Sequence, residues 1–181
     1  FFGREYGFLV FHDCSKVIYF KEIKTESVKD FREGINVLKA ANYRILSVTV
    51  DGRRGYVNNI RKLLGNVPIQ MCTFHQKAIV RRYVTERPRS RCGQELKQLM
   101  NLLCKINTEE QQEFIDQFYH LKAKYHGFLH ERNEFNQYKH TALRSAFRSL
   151  ESNMMLLFTH SDVKTQTFLQ QSIIWKDSLD I

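Results

Sequence analysis

The spacing of apolar residues changes once along the chain, and this change limits the folds that the sequence can adopt. Up to about residue 72, apolar residues form short runs rich in aromatic and β-branched side chains, bounded by turn-forming residues. From Gln76 to about His160 they recur with the spacing of an amphipathic helix. The sequence therefore predicts an α/β part followed by an all-helical part.

The first 51 residues predict the order strand, strand, helix, strand. Residues 6–11 and 17–23 predict an antiparallel hairpin with one buried face, because both runs are rich in aromatic and β-branched residues and a turn-like cluster separates them. Ser27 and Asp30 indicate the start of a helix, and Asn42 indicates its end. Residues 44–50 predict a third strand, which places Asp51 at a strand's carboxyl end.

A short helix at 56–64 and a strand at 67–72 are predicted next, and then helices only. Thr108 and Gln111 predict a capping box at the start of one of these helices. The order of the early elements resembles the beginning of a ribonuclease-H-like α/β sheet. In open α/β sheets, functional groups gather at the carboxyl ends of strands, so Asp51 is the first residue to consider.

Composition narrows the class of protein. Hydrophobic residues make up 43% of the 181 residues, which excludes a disordered chain, and 28 basic against 19 acidic residues give a net charge of +9. No apolar run approaches the ~20 residues that span a bilayer, so we expect a soluble protein without a membrane partner.

The opening Phe1 within an apolar pattern predicts a fragment of a longer product. The sequence has four widely spaced cysteines, which are Cys14, Cys72, Cys92 and Cys104. Because their spacing does not indicate a disulfide framework and no secretory signal opens the chain, we expect reduced thiols and a cytoplasmic protein.

Asp51 has two interpretations. An Asp-Gly pair after a strand is often an ordinary turn. Alternatively, the carboxylate binds a divalent cation such as Mg²⁺, which prefers oxygen ligands and in phosphoryl chemistry is held by carboxylates from distant segments.

Cys72 and His75 have the spacing of half a zinc site. No second pair with suitable spacing follows, so a packed cysteine and a hydrogen-bonded histidine near a strand end are favoured. Cys14 is a possible third ligand, and a small zinc-binding module stays open as an alternative.

The densest positive charge lies between residues 77 and 91, where six cations stand against Glu86. Such a run is either a solvated helix surface or a surface that binds nucleic-acid phosphates. Contacts of the second kind give affinity without sequence specificity. The six residues are Lys77, Arg81, Arg82, Arg87, Arg89 and Arg91.

Four segments together resemble bacterial insertion-sequence transposases of the Mutator-like group, over roughly residues 1–162. They are Phe2-Gly-Arg-Glu-Tyr-Gly7, Asp51-Gly-Arg-Arg-Gly55, the run from Pro68 through Cys72 and His75 to Thr85, and the run from His140 to Leu150. The resemblance implies a ribonuclease-H-like DDE core, Mg²⁺-dependent cutting of transposon ends, and strand transfer into target DNA. It also implies DNA as the partner and leaves room for a homo-oligomer of the full-length parent.

The resemblance assigns roles to individual residues. Asp51 matches the second carboxylate of the catalytic triad, and Gly52, Cys72 and His75 match the family's signature. The helical region resembles the insertion that precedes the last acidic residue. Two further cations complete the predicted DNA-binding set; they are Arg53 and Arg54.

The chain departs from the family pattern at both ends. The first catalytic aspartate would lie before Phe1, and Asp13 is on the wrong side of the matching segment to replace it. The family's last motif, which carries the glutamate, is missing. Reading from the third base of the Trp175 codon into Lys176 gives GAA, a glutamate codon, whichever synonymous codon is used. We therefore predict a frameshift between about residues 162 and 167 and an inactive copy.

The predicted organisation has three parts. Residues 1–76 form part of a ribonuclease-H-like core, residues 77–160 form a helical insertion, and residues 161–181 form an out-of-frame tail that should pack poorly. The alternatives to an inactive transposase fragment are a non-enzymatic DNA-binding remnant and the zinc-binding module.

Overall fold

The computed structural model describes residues 7–13, 16–25, 27–51 and 55–159, and the backbone of residues 172–176. The chain divides into two units, one formed by Phe1–Cys72 with Leu156–Ile181 and the other by Thr73–Met155. The first unit contains β1 (Gly7–His12), β2 (Val17–Ile23), α1 (Val28–Ala40), β3 (Ser47–Val50), α2 (Tyr56–Leu64), β4 (Ile69–Met71) and β5 (Ser172–Lys176). The second contains α3 (Thr73–Val84), α4 (Arg91–Leu102), α5 (Gln111–Lys124), α6 (His126–His130) and most of α7 (Thr141–Leu157).

The strands form one mixed sheet in the order β2-β1-β5-β3-β4. The predicted antiparallel hairpin is confirmed, with Gly7 opposite Ile23 and Val10 opposite Phe20. β5 is antiparallel to β1 and parallel to β3, and β3 is parallel to β4. The mixed α/β class predicted from the sequence is thus confirmed, and the carboxyl ends of β3 and β4 share one edge of the sheet.

Helix α1 begins and ends where the sequence predicted. The hydroxyl of Ser27 accepts a hydrogen bond from the Asp30 backbone N–H at 3.2 Å, which satisfies one of the free donors of the first turn. Asn42 follows the helix with a left-handed φ of 56°, the conformation that commonly closes a helix.

The α1 helix lies very close to the hairpin. A Cβ atom at Gly34 would stand 2.5 Å from Phe11 Cε2 and 2.8 Å from Tyr19 Cε1, so only glycine fits at this position. The Phe31 ring meets the Phe11 ring edge-on, with 5.3 Å between centroids, and both side chains are fully buried. Burial of these large rings stabilises the first unit.

In the second unit, α5 and α7 supply the largest buried side chains. Phe118 and Phe147 are in ring contact at 5.8 Å between centroids. A buried amide also joins two helices: Gln76 of α3 is fully buried and accepts a hydrogen bond from Asn153 of α7 at 2.7 Å. This bond satisfies a polar group that would be costly to bury unpaired.

After Gln76 the described chain forms helices joined by loops, and one of these loops, residues 131–140, here called the hairpin loop, contains a β-bridge between Arg132 and Tyr138. One prediction about the helices is wrong. The predicted capping box of Thr108 and Gln111 is replaced by a reciprocal pair one residue earlier. The Asn107 side chain accepts from the Glu110 N–H at 3.0 Å, and the Glu110 carboxylate accepts from the Asn107 N–H at 3.1 Å. These bonds close the turn before α5, whose N-cap residue Glu110 makes no side-chain cap bond to the first turn of the helix.

Among the residues that the structure describes, no helix combines the length and the apolar character that a membrane crossing requires. Apart from the β5 backbone, the predicted out-of-frame tail lies outside the described residues. The frameshift and the packing of that tail stay predictions.

Candidate functional site

The structure brings Asp51 and Cys72 to the same edge of the sheet. Val50, the last residue of β3, pairs with Met71, the last residue of β4. Asp51 directly follows β3, and Cys72 directly follows β4. The Cys72 N–H donates to the Val50 carbonyl at 2.8 Å, which extends the pairing to the strand ends. Both residues are half-buried. This edge is where an open α/β sheet places its functional groups.

Two groups of predicted residues lie outside the described residues. The first follows Asp51 and consists of Gly52, Arg53 and Arg54, and the second is Cys14, the third residue of the zinc alternative.

Asp13 lies at the opposite edge of the sheet, because β1 runs antiparallel to β5, which in turn runs parallel to β3. Its carboxylate accepts hydrogen bonds from the Lys16 backbone N–H at 3.0 Å and from the Tyr43 hydroxyl at 2.9 Å. These bonds tie the β1–β2 turn to the segment that leads into β3. Asp13 therefore has a structural role, and the structure supports its exclusion from the predicted triad.

The described residues do not by themselves provide a metal site. Within residues 7–13, 16–25, 27–51 and 55–159, no three His, Cys, Asp or Glu side chains are grouped closely enough to hold an ion. The oxygen ligands that Mg²⁺ prefers are thus represented by one residue of the predicted triad, Asp51. This donor set alone does not fit magnesium.

His75 lies in the first turn of α3, which begins at Thr73. Within the described part of the chain, the buried Nδ1 atom of His75 has no hydrogen-bond partner.

Helix α3 has one buried and one exposed side. Gln76, Val80 and Val84 are buried at intervals of four residues. Arg81 and Arg82 are exposed on the other side, as predicted, whereas Lys77 lies at the boundary and is half-buried. The cation predicted to share their side is therefore less accessible than the two arginines.

Most cations of the 77–91 segment are exposed, and several make no ion pair with any described residue. Arg81 pairs with Glu86, and Glu86 also accepts from Lys97 at 3.3 Å. Burial alone would raise the pKa of Glu86, but the Lys97 hydrogen bond and the Arg81 charge together lower it. The exposed arginines without an ion pair among the described residues are Arg82, Arg87, Arg89 and Arg91. Since their charge is not neutralised within this part of the protein, they are available to phosphates.

Arg91, the last cation of the predicted set, begins α4 and is exposed. Glu95 lies one turn further along that helix. Hydrogen bonds from Lys124 and Tyr125, with a smaller contribution from the Arg91 charge, lower the pKa of Glu95. Arg91 is therefore partly compensated by an acidic neighbour.

Sequence reasoning missed one residue of this surface, Phe74. Its side chain is 68% exposed, although it lies between residues of the predicted signature. The available signal was helical spacing: Phe74 precedes Arg81 and Arg82 by seven and eight residues, which places all three on one side of α3.

Comparison of the chain with protein-family models, with curated proteins and with solved structures finds no match.

Proposed function

We propose that this chain is a fragment of a DDE-type transposase of the Mutator-like insertion-sequence group, which binds DNA and does not catalyse transposition. The observation that carries the proposal is the position of Asp51 and Cys72, which lie side by side at the carboxyl ends of parallel β3 and β4. This is the edge at which a carboxylate of a nuclease-like sheet would act.

The sheet topology supports a ribonuclease-H-like core. An antiparallel hairpin, β1–β2, lies at one side, and the parallel pair β3–β4 lies at the other. Helix α1 connects the two and packs on the hairpin through Phe31.

The proposed loss of catalysis rests on the number of carboxylates. Cutting and rejoining DNA with two metal ions needs several carboxylates to bind the ions and fix their separation. This sequence contains a match to one residue of the family's catalytic triad, and that match is Asp51. One monodentate residue cannot position both ions.

DNA binding is the function that the surface supports best. Four exposed arginines between residues 77 and 91 lack ion pairs among the described residues, whereas Arg81 pairs with Glu86. Each phosphate that such a group neutralises releases counterions, so affinity should fall with a log–log slope of about −0.9 per contact.

Two assays on the full chain test this proposal. In a strand-transfer assay with Mg²⁺ or Mn²⁺ we expect no product, and in titrations of duplex DNA without metal we expect binding that weakens steeply with salt. Asp51→Asn is the control, since it should leave DNA affinity unchanged. Strand transfer that Asp51→Asn abolishes would refute the inactive fragment. Absence of salt-dependent binding would refute DNA binding, and stoichiometric zinc in the purified protein would favour the zinc alternative.

A further inference from the structure

The exposed side of α3 combines an aromatic ring with positive charge. Phe74 lies in the first turn and is 68% exposed, whereas Phe114, Phe118 and Phe147 of the same unit are nearly fully buried. The rise of an α-helix places Arg81 and Arg82 about 10–12 Å further along the axis, on the same side. Lys77 and Ala78 lie one turn after Phe74 on this side, and the Phe74 ring stays exposed beside them.

The electrostatics of this side favour an anionic partner. α3 contains no Asp or Glu, and the acidic neighbour Glu86 is shared between Arg81 and Lys97. Arg82 has no ion pair among the described residues. A partner that binds both the arginines and the Phe74 ring therefore carries several negative charges, and it has a flat apolar group within about 10–12 Å of them.

Single-stranded DNA has this chemistry. In a duplex the bases are stacked on one another and their faces are not accessible, so the arginines would bind phosphates and Phe74 would contribute nothing. In an unpaired strand every base offers a face to an aromatic side chain, and proteins use such stacking together with a cationic groove.

We propose that α3 binds unpaired DNA, with one base stacked on Phe74 and the neighbouring phosphates held by Arg81 and Arg82. This inference rests on the proposed DNA-binding function and adds the form of DNA that is preferred. Stacking is neutral in charge, so it contributes affinity for single strands without changing the number of released counterions.

The chain provides a matched control in the hairpin loop. Phe135 is 73% exposed, slightly more than Phe74, but it follows Glu134 and lies in a segment whose cations bond within the protein. Substitution of Phe135 removes a phenylalanine ring of similar solvent exposure and leaves the cationic side of α3 unchanged.

The experiment measures affinity of the full chain for an oligo-dT strand and for a duplex of equal length, over a range of salt. We expect Phe74→Ala to weaken oligo-dT binding about 5- to 150-fold. Duplex affinity and the salt slope of both ligands should be unchanged. Phe74→Tyr should keep oligo-dT affinity, and Phe135→Ala should bind both ligands as the unsubstituted chain does.

The outcomes separate the two proposals. If the unsubstituted chain binds duplex with a steep salt slope but Phe74→Ala binds oligo-dT normally, base stacking is refuted and DNA binding stands. If Phe74→Ala and Phe135→Ala weaken oligo-dT binding equally, stacking at Phe74 is likewise refuted. If the unsubstituted chain binds neither ligand, both proposals fail.

Discussion

Helix α3 and the hairpin loop are both exposed, and both carry arginines and a solvent-exposed phenylalanine, but their cations are engaged differently. In the hairpin loop, the Arg132 guanidinium donates to the Asn136 carbonyl at 2.6 Å and lies 4.0 Å from the centroid of Tyr138. Arg144, at the start of α7, donates to the Leu129 carbonyl at 3.0 Å and lies 3.5 Å from the same ring. On α3, by contrast, Arg82 makes no ion pair with any described residue.

The comparison shows that residue type alone does not separate structural from partner-binding arginines. Two guanidinium groups against one tyrosine ring, each also bonded to a carbonyl, hold a loop in a defined shape. Exposed guanidinium groups without such bonds contribute little to folding and keep their capacity for an external anion. Substitution of the α3 arginines should therefore weaken DNA binding and leave stability nearly unchanged. Substitution of the arginines that pack on Tyr138 should lower stability and leave DNA binding unchanged.

The largest effect is expected for binding at α3. The double substitution Arg81→Ala and Arg82→Ala removes two phosphate contacts, so the salt slope should shrink by about two units and duplex affinity should fall about 30-fold at 0.15 M salt. DNA titrations at several salt concentrations measure both quantities. Stability should change by at most about 0.5 kcal/mol per site. An unchanged slope, or an unfolded double variant, would show that these arginines are structural.

The reverse behaviour is expected at Arg144 of α7, which packs on Tyr138 of the hairpin loop. Arg144→Ala removes the contact with Tyr138 and the bond to Leu129, so the free energy of unfolding should fall by about 1–3 kcal/mol. Chemical denaturation measures this loss, with Arg82→Ala as the control that should unfold like the unsubstituted chain. The salt slope of DNA binding should be unchanged. A stable Arg144→Ala protein with weakened DNA binding would place Arg144 in the interface instead.

A smaller loss of stability is expected at Asn133. Its side-chain oxygen accepts from the N–H groups of Phe135 and Gln137 at 3.0 and 2.9 Å, which closes the turn of the hairpin loop. Asn133→Ala should lower the free energy of unfolding by about 1 kcal/mol, and Asn133→Asp, which keeps the acceptor, should lose less. Equal losses in the two variants would contradict this role of the acceptor.

The smallest effect is expected at Glu86, the acidic residue next to the α3 surface. Glu86→Gln removes the charge that pairs with Arg81, so DNA affinity should rise a few-fold and the salt slope should steepen by up to about one unit. Glu134→Gln, which neutralises an acid of the hairpin loop, is the control and should change neither quantity. A decrease in affinity for Glu86→Gln would show that the pair positions Arg81 for binding.

The pH dependence of Glu86 gives an independent check. Because its pKa is lowered in the folded protein, its ion pairs stabilise the fold above the ordinary glutamate pKa, and this contribution is lost as the pH falls through the lowered value. The difference in unfolding free energy between the unsubstituted chain and Glu86→Gln should therefore shrink on acidification. A difference that stays constant would argue against the pairs.

The local parts of this fold were predictable from the sequence. The alternation of β2 and the cap of Ser27 depend on residues that are neighbours in the chain, and both predictions are confirmed. The hairpin loop was missed because its shape depends on Arg132, Tyr138 and Arg144 meeting in space, and no glycine or proline marks it.

For the candidate site, spacing identified Asp51 and Cys72 individually, and their position at a shared edge follows from the parallel pairing of β3 and β4. The exposure of Phe74 could not be inferred from composition, since most apolar residues at helical spacing are buried. The start of α3 was placed three residues late, which hid the relation of Phe74 to the arginines.

The order of strands in the sheet has a consequence for how the protein folds. β5, between β1 and β3, comes last in sequence among the described strands, and Val10 of β1 pairs with the distant Lys176 of β5. Pairings between such distant residues form slowly, because the chain must close a long loop before any contact is gained. Until β5 pairs with both of its neighbours, the β1–β2 hairpin and the β3–β4 pair are therefore two separate parts of the sheet, each with an unpaired inner edge.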